Sequence, residues 1–247
     1  MKDKIKILHM YPDILDLYGD GGNMEVIKYR CGQRKIVCET DIHTIGSNTD
    51  FSEYDLIYLG GGADFEQQLL ANDLAGCAAQ IRSAYESGVF FLAICGGYQL
   101  MGRYYKDSNG KKIPGLGLFD YYTTASENKS ERCIGNIIIE ADLNGEKTKV
   151  IGFENHGGNT YGVKSPFGSV LLGNGNSFGD SFEGYFEKNV IATYLHGPLL
   201  SKNPKVADYI ISSCIGRKSG NSVTLAPLDD VLENKCREML FKRFLRG

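Results

Sequence analysis

Short apolar runs alternate with longer amphipathic segments in the first part of the chain. The period-2 and continuous apolar runs predict strands at residues 4–10, 36–45, 54–60 and 89–94. The segments with a 3.6-residue period predict helices at residues 23–34, 64–87 and 98–105, with Asn23 as the N-cap of the first. Alternating strands and helices favour an α/β fold with an open, mostly parallel sheet flanked by helices. Ligands of such sheets bind at the carboxyl ends of the strands.

The pattern changes between residues 115 and 194, where short β-type pieces are separated by Gly/Asn turns. We predict strands at residues 134–140, 150–154, 170–172 and 190–198, followed by helices at 205–215 and 229–245. We interpret this region as an antiparallel, β-rich portion of the same domain. Since no repeat or interdomain linker interrupts the chain, the sequence predicts one domain over residues 1–247.

The strand predicted at residues 89–94 ends at Cys95, which Gly96 and Gly97 follow. A strand, a sharp turn and a helix would hold the thiol at the sheet edge, where the N-terminal dipole of the helix favours a thiolate. The two glycines would permit tight backbone angles and leave room for a substrate. The alternative is a buried structural cysteine, which is common for a single thiol.

A nucleophilic thiol needs a base, and the chain has four histidines. His196 ends an apolar strand, as Cys95 does, and is the preferred base. His156 is the competitor, for which we expect a structural or substrate-side role. His9 and His43 lie in or near predicted strands, where a core or surface role is expected.

The segment Cys95-Gly-Gly-Tyr-Gln-Leu100 resembles the nucleophile segment of class I, triad-type glutamine amidotransferases. The resemblance implies a flavodoxin-like sheet, a catalytic histidine on a late strand, and an oxyanion hole formed by the Gly61 and Gly96 N–H groups. It also suggests that Gln99 holds the substrate backbone. The alternatives are a simple glycine turn for Gly61 and an ordinary polar residue for Gln99.

Most of this class has Glu two residues after the catalytic histidine, but Pro198 stands there in this chain. The departure suggests a Cys–His dyad, or a triad whose orienting group comes from elsewhere. The segment Gly152-Phe-Glu-Asn-His-Gly-Gly158 resembles a segment of cobyric acid synthase-type glutaminases in which the histidine is not the base.

Leu17-Tyr-Gly-Asp-Gly-Gly-Asn23, taken with the segments around Cys95, His156 and His196, resembles GatD-type glutaminase subunits of bacterial lipid II isoglutaminyl synthases. This resemblance implies hydrolysis of L-glutamine to glutamate and transfer of ammonia to a Mur-ligase-like, MurT-like partner in a heterodimer. The partner amidates the D-glutamate α-carboxyl of lipid II in peptidoglycan synthesis. The resemblance also implies that Arg132 binds glutamine, because a guanidinium group can form two parallel hydrogen bonds with an α-carboxylate. The alternative is that Arg132 is a solvated surface residue.

Composition and the absence of certain motifs argue against several kinds of partner, location and cofactor. The net charge is −3 and no dense basic run occurs, so nucleic acid is not an expected partner. The seven cysteines form no C-x-x-C pair, and the amino terminus lacks the apolar core of a signal peptide, which together favour a cytoplasmic location without structural metal. No G-x-x-x-x-G-K-[ST] loop is present, so we expect no cofactor in this chain, with ATP and Mg on the partner.

Three other functions remain open from the sequence. The first is the glutaminase component of a cobyrinate-type amidotransferase, but the loop at residues 17–23 argues against it. The second is a catalytically silent binding module that keeps the fold, although intact Cys95, His196, Gly61 and Gln99 argue against it. The third is a stand-alone thiol hydrolase, which would need no partner.

Overall fold

The structure is a computed structural model that describes residues 3–126 and 128–245. In chain order the strands are β1 (Lys4–Met10), β2 (Val37–His43), β3 (Leu56–Leu59), β4 (Phe90–Ile94), β5 (Tyr104–Lys106), β6 (Lys112–Pro114), β7 (Tyr122–Ala125), β8 (Cys133–Leu143), β9 (Glu146–His156), β10 (Gly158–Tyr161), β11 (Gly168–Leu172), β12 (Phe182–Glu183), β13 (Tyr185–Glu187) and β14 (Val190–Thr193). The helices are α1 (Gly22–Gln33), α2 (Asp64–Glu86), α3 (Gly96–Met101), α4 (Leu199–Lys202), α5 (Pro204–Ser219) and α6 (Val231–Leu245). Short 3-10 turns lie at Leu17–Gly19, Phe51–Glu53 and Lys129–Glu131.

The main sheet has six strands in the order β13-β14-β4-β3-β1-β2. All of its pairings are parallel except that between β13 and β14. Every residue of β3 and β4 is buried, because these central strands are covered on both faces. The predicted open, mostly parallel sheet is therefore confirmed, and it places the carboxyl ends of β1, β3, β4 and β14 at one edge.

The β-rich portion forms two four-stranded sheets, β10-β7-β5-β6 and β12-β11-β8-β9. Their pairings are antiparallel apart from the parallel contact between β5 and β7, which confirms the predicted antiparallel portion. Strands β8 and β9 form a long hairpin, and an isolated bridge pairs Phe153 of β9 with His196 after β14. This bridge joins the sheet β12-β11-β8-β9 to the segment that follows β14 of the main sheet.

Three local predictions were wrong. The strand predicted at residues 190–198 ends at Thr193, so His196 lies three residues beyond β14. Helix α3 ends at Met101 and residues 104–106 form β5, since Gly102 is extended and a side chain there would meet the Tyr121 ring at 2.6 Å. Asn23 lies inside α1 and is not its N-cap, because its side chain instead accepts a hydrogen bond from the Leu200 N–H at 2.9 Å.

The apolar core is continuous across the main sheet and reaches into β8 and β9. The prediction of one domain over residues 1–247 includes residues 1, 2, 127, 246 and 247, which lie outside the described residues, and it stays a prediction. Among the described residues, no helix combines the length and the apolar character that crossing a membrane requires.

Candidate active site

Cys95 sits at the turn between β4 and α3 with φ 50° and ψ −101°. A non-glycine residue in this region costs on the order of 1–3 kcal/mol and persists only when its surroundings hold it. Two hydrogen bonds do so here: the Cys95 N–H donates to the Thr193 carbonyl at 2.8 Å, and the Gly97 N–H donates to the Gly60 carbonyl at 3.1 Å. The cysteine itself therefore takes the strained backbone, where the sequence had assigned the tight angles to the glycines.

Gly96 and Gly97 are needed for close packing. A Cβ on Gly96 would lie 2.7 Å from both the backbone N and O of Gly62, and one on Gly97 would lie 2.7 Å from the Leu59 carbonyl oxygen. The start of α3 thus packs directly on the end of β3. Within residues 3–126 and 128–245, neither the Gly96 nor the Gly61 N–H donates a hydrogen bond, so both remain available to a substrate oxyanion.

The three glycines after β3, Gly60 to Gly62, allow close contacts with Leu15 and with the candidate catalytic residues. Gly60 and Gly62 accommodate Leu15, since a Cβ on Gly60 would lie 2.0 Å from the Leu15 carbonyl oxygen and one on Gly62 would lie 2.3 Å from its Cδ2. Gly61 faces the catalytic candidates: its Cβ would be 3.2 Å from His196 Cε1 and 3.6 Å from Cys95 Cβ. Gly61 therefore marks the point where the predicted nucleophile and base converge.

His196 is held by a residue that the sequence analysis missed. Its Nδ1 lies 2.6 Å from Oδ2 of Asp20, and the side chains of both residues are almost completely buried. The third group of a triad thus comes from the loop after β1, and the predicted alternative of a Cys–His dyad does not describe this geometry. The clue available in the sequence was an acidic residue in a glycine-rich loop after a parallel strand, at the edge that also carries Cys95.

This arrangement raises the pKa of His196 to about 10. Burial, the largest influence, lowers the pKa, but the hydrogen bond with Asp20 and the interaction with Cys95 together outweigh it. Nε2 of His196, the ring nitrogen that does not face Asp20, has no hydrogen-bond partner among the described residues. His196 is consequently an imidazolium at neutral pH, which suits a thiolate–imidazolium pair.

The loop after β1 fits against the turn that follows His196. A Cβ on Gly22 would lie 2.5 Å from Pro198 Cγ, and the Tyr58 hydroxyl donates to the Asp20 carbonyl at 2.8 Å. Pro198, which occupies the position of the expected glutamate, is thus a packing residue. The loop supplies the Asp20 carboxylate that contacts Nδ1 of His196.

His156, the competing base, is buried and stacks on Tyr194 with ring centroids 3.6 Å apart. Its Nδ1 is 2.8 Å from the Gly158 carbonyl oxygen, and burial lowers its pKa to about 4. The ring therefore stays neutral at physiological pH and has no contact with Asp20. These contacts are compatible with a structural role, and since His156 also lines the cavity, the predicted choice between a structural and a substrate-side role stays open.

Gln99 is 5% exposed and lines the site cavity. Its Oε1 accepts a hydrogen bond from Gln67 Nε2 at 2.7 Å, and its Nε2 donates to the Tyr194 hydroxyl at 3.2 Å. Both ends of the amide are therefore engaged by the protein. Gln99 shapes the cavity wall, and a role in binding the substrate backbone stays a prediction.

A cavity of about 420 Å³ opens beside Cys95, a size within the usual range for small-molecule sites. Tyr18, Gln99, Arg132 and His156 contribute to its wall together with Cys95. Arg132 is exposed and belongs to the same cavity wall. The predicted nucleophile and the predicted carboxylate-binding arginine thus line one space.

Of the four histidines, His156 lines this cavity, whereas His196, His9 and His43 are not among its lining residues. His9 packs on Tyr58 with ring centroids 5.0 Å apart. His43 forms the one group of three potential metal ligands found among the described residues, with Asp73 and Cys77. Its Nε2 lies 3.3 Å from Asp73 Oδ2, which also accepts from the Tyr11 hydroxyl at 2.7 Å, so hydrogen bonding already explains the cluster.

Comparison with known proteins places these features in a context. A family model described as the CobB/CobQ-like glutamine amidotransferase domain matches residues 6–204. The chain is 37% identical over 240 residues to the lipid II isoglutaminyl synthase (glutamine-hydrolyzing) subunit GatD of Staphylococcus aureus strain N315, covering 97% of this chain and 96% of that protein. It is 36% identical to the subunit of the same name from Streptococcus pneumoniae strain ATCC BAA-255 / R6, covering 95% and 90% of the two chains.

More distant relatives include a probable cobyric acid synthase of Methanococcus maripaludis strain C6. It is 30% identical over 202 residues, which covers 75% of this chain and 40% of that protein. Among solved structures, a glutamine amidotransferase superposes with a TM-score of 0.52 at 14% identity, covering 84% of this chain and 98% of the other. At this identity the superposition supports the fold alone.

Proposed function

Because the chain belongs to the CobB/CobQ-like glutamine amidotransferase family, in the branch of the GatD subunits, we propose that it is the glutaminase subunit of a lipid II isoglutaminyl synthase. It hydrolyses L-glutamine to glutamate and ammonia. The observation that carries the proposal is the group formed by Cys95, His196 and Asp20 around Gly61, at a cavity that Arg132 also lines.

This geometry supports the following reaction. Arg132 binds the α-carboxylate of glutamine, and the Cys95 thiolate attacks the side-chain amide carbon. The Gly61 and Gly96 N–H groups stabilise the oxyanion of the tetrahedral intermediate. His196, held by Asp20, protonates the departing ammonia and then activates the water that hydrolyses the thioester.

The ammonia passes to a Mur-ligase-like, MurT-like partner, which amidates the D-glutamate α-carboxyl of lipid II with ATP and Mg bound to that partner. The names of the relatives from Staphylococcus aureus and Streptococcus pneumoniae support a two-component synthase, since both are called subunits. Reduced thiols and the cytoplasmic supply of ATP favour a cytoplasmic location. The alternative, a cobyrinate-type amidotransferase, is less well supported because those relatives match a smaller share of the chain at lower identity.

Glutamate release from L-glutamine by the purified chain tests the proposal, with and without a candidate Mur-ligase-like partner. We expect Cys95→Ser and His196→Ala to abolish the release, and the partner to stimulate it. Cys236→Ser is the matched control, since this exposed thiol lies outside the cavity and its loss should leave activity unchanged. A wild-type chain that releases no glutamate even with the partner would refute the proposed reaction.

A further inference from the structure

Asn155, near the end of β9, joins two parts of the cavity wall. Its Oδ1 accepts hydrogen bonds from Nε and Nη2 of Arg132, at 3.2 and 2.9 Å. Its Nδ2 donates to the Tyr18 hydroxyl at 2.5 Å. One amide thus contacts both the arginine and the loop that follows β1.

Tyr18 extends this connection to the catalytic candidates. Its ring meets the His196 ring edge-on with centroids 4.9 Å apart, and its backbone has φ 61° and ψ 19°. A non-glycine residue in this left-handed region needs compensating contacts. The hydrogen bond to Asn155 is such a contact, so Asn155 helps to hold Tyr18 against the His196 ring.

The Asn155 side-chain amide is neutral, and this affects how Arg132 can bind a substrate. Among residues 3–126 and 128–245, no carboxylate oxygen lies within 4.0 Å of the Arg132 side-chain nitrogens. The neutral Oδ1 orients the guanidinium through two hydrogen bonds without neutralising its charge. A carboxylate in the same place would form an ion pair with Arg132 and compete with a substrate carboxylate.

We propose that Asn155 is a positioning residue that holds the charged Arg132 guanidinium in the orientation that binds the α-carboxylate of the substrate. The same side chain connects Arg132 to Tyr18, whose ring contacts His196. This inference rests on the proposed glutaminase reaction and adds to it the origin of selectivity for a free α-carboxylate. Asparagine serves this position because it accepts from an arginine, donates to a tyrosine and carries no charge.

The test compares L-glutamine with L-glutaminamide, which has an amide in place of the α-carboxylate. We expect the wild-type chain to prefer glutamine in kcat/KM, and Asn155→Asp to reduce that preference by about tenfold or more, through KM. The introduced carboxylate keeps the shape of the amide and can still accept from Arg132, and it can accept from the Tyr18 hydroxyl where the Asn155 amide donates to it. A purely structural role for Asn155 therefore predicts an unchanged preference in this variant.

Asn136→Asp is the matched control, because this exposed asparagine of the adjacent strand makes the same change in charge outside the cavity wall. It should keep the wild-type preference. If Asn155→Asp turns over neither compound, Asn155→Ala decides: a rise in KM for glutamine but not for glutaminamide supports the inference, and an unchanged KM for both overturns it.

The other outcomes are also decisive. A wild-type chain that hydrolyses both compounds equally well keeps its amidase chemistry but overturns the inference, since Arg132 then does not read the carboxylate. An Asn155→Asp variant that retains the full preference overturns it as well. A wild-type chain that hydrolyses neither compound refutes the proposed function, and the inference fails with it.

Discussion

Replacing Asp20 by asparagine tests the triad most directly. Asn has nearly the same shape as Asp, so the substitution removes a charge from a fully buried position with little change in packing. The carboxylate is 2.6 Å from Nδ1 of His196, and it is the strongest of the influences that raise the pKa of this histidine from 6.5 to about 10. The whole change corresponds to about 5 kcal/mol between the two protonation states of His196.

Losing the larger part of this stabilisation should lower kcat/KM for glutamine by about 100- to 1,000-fold. We expect less than the about 10,000-fold loss known for Asp→Asn in a serine triad, because a thiolate still favours the imidazolium when the carboxylate is absent.

The pH profile gives the sharper readout. The charged form of His196 is present below its pKa and is lost as pH rises through about 10, so the alkaline limb of the wild-type profile should lie near that pH. In Asp20→Asn this limb should move to lower pH by about one unit or more. Glutamate detection from about pH 6 to about pH 11 measures the profile, and circular dichroism checks the fold over the same range.

Asp13→Asn is the matched control, since this exposed residue of the same loop makes the same change in charge. It should leave kcat/KM within about twofold of the wild type. An Asp20→Asn variant with an unmoved alkaline limb and nearly full activity would show that the reasoning about His196 is wrong.

Three other substitutions probe the framework. Gly61→Ala puts a methyl group 3.2 Å from the ring of the catalytic histidine, and we expect glutamate release to fall by about 100-fold while urea unfolding changes by no more than about 1 kcal/mol. Arg30→Ala removes the buried guanidinium that pairs with Asp208 and Asp230, so urea unfolding should show a loss of about 3 kcal/mol without a change in the KM of the folded protein. Burial raises the pKa of Glu183 to about 8, so the folded state holds a proton there that the unfolded state releases above about pH 4.5, and stability falls as pH rises through this window. Glu183→Gln should flatten that fall in calorimetric unfolding midpoints between about pH 5 and pH 8, and an unchanged slope would contradict the assignment.

The sequence predicted the parallel sheet because its central strands are buried on both faces and therefore appear as continuous apolar runs. The same reasoning located Cys95, since a nucleophile at the end of such a strand leaves a recognisable local pattern. It placed α3 too far along the chain because the helical period of residues 98–105 gave no sign of the close contact between Gly102 and Tyr121. That contact joins residues from different elements, and no local pattern encodes it.

The site was predicted only in part for the same reason. Cys95 directly follows β4 and His196 lies three residues after β14, whereas Asp20 and Asn155 act through partners that are distant in the chain. Asp20 is separated from His196 by 176 positions, and only the pairing of β1, β3, β4 and β14 brings them together. An acidic residue in a glycine-rich loop is common at the surface, so its role could be recognised only from the assembled sheet.

The origin of the third group has a consequence for how the site works. A glutamate two residues after the histidine would be carried by the same strand end, and its position would not depend on the loop after β1. Here that loop supplies Asp20 at Nδ1 of His196 and Tyr18 against its ring, while Gly22 at the start of α1 packs against Pro198. A displacement of the loop would therefore remove the orienting carboxylate and the aromatic contact together. Asn155 also ties this loop to Arg132, so hydrogen bonds and an aromatic contact connect the arginine with His196 through Asn155 and Tyr18.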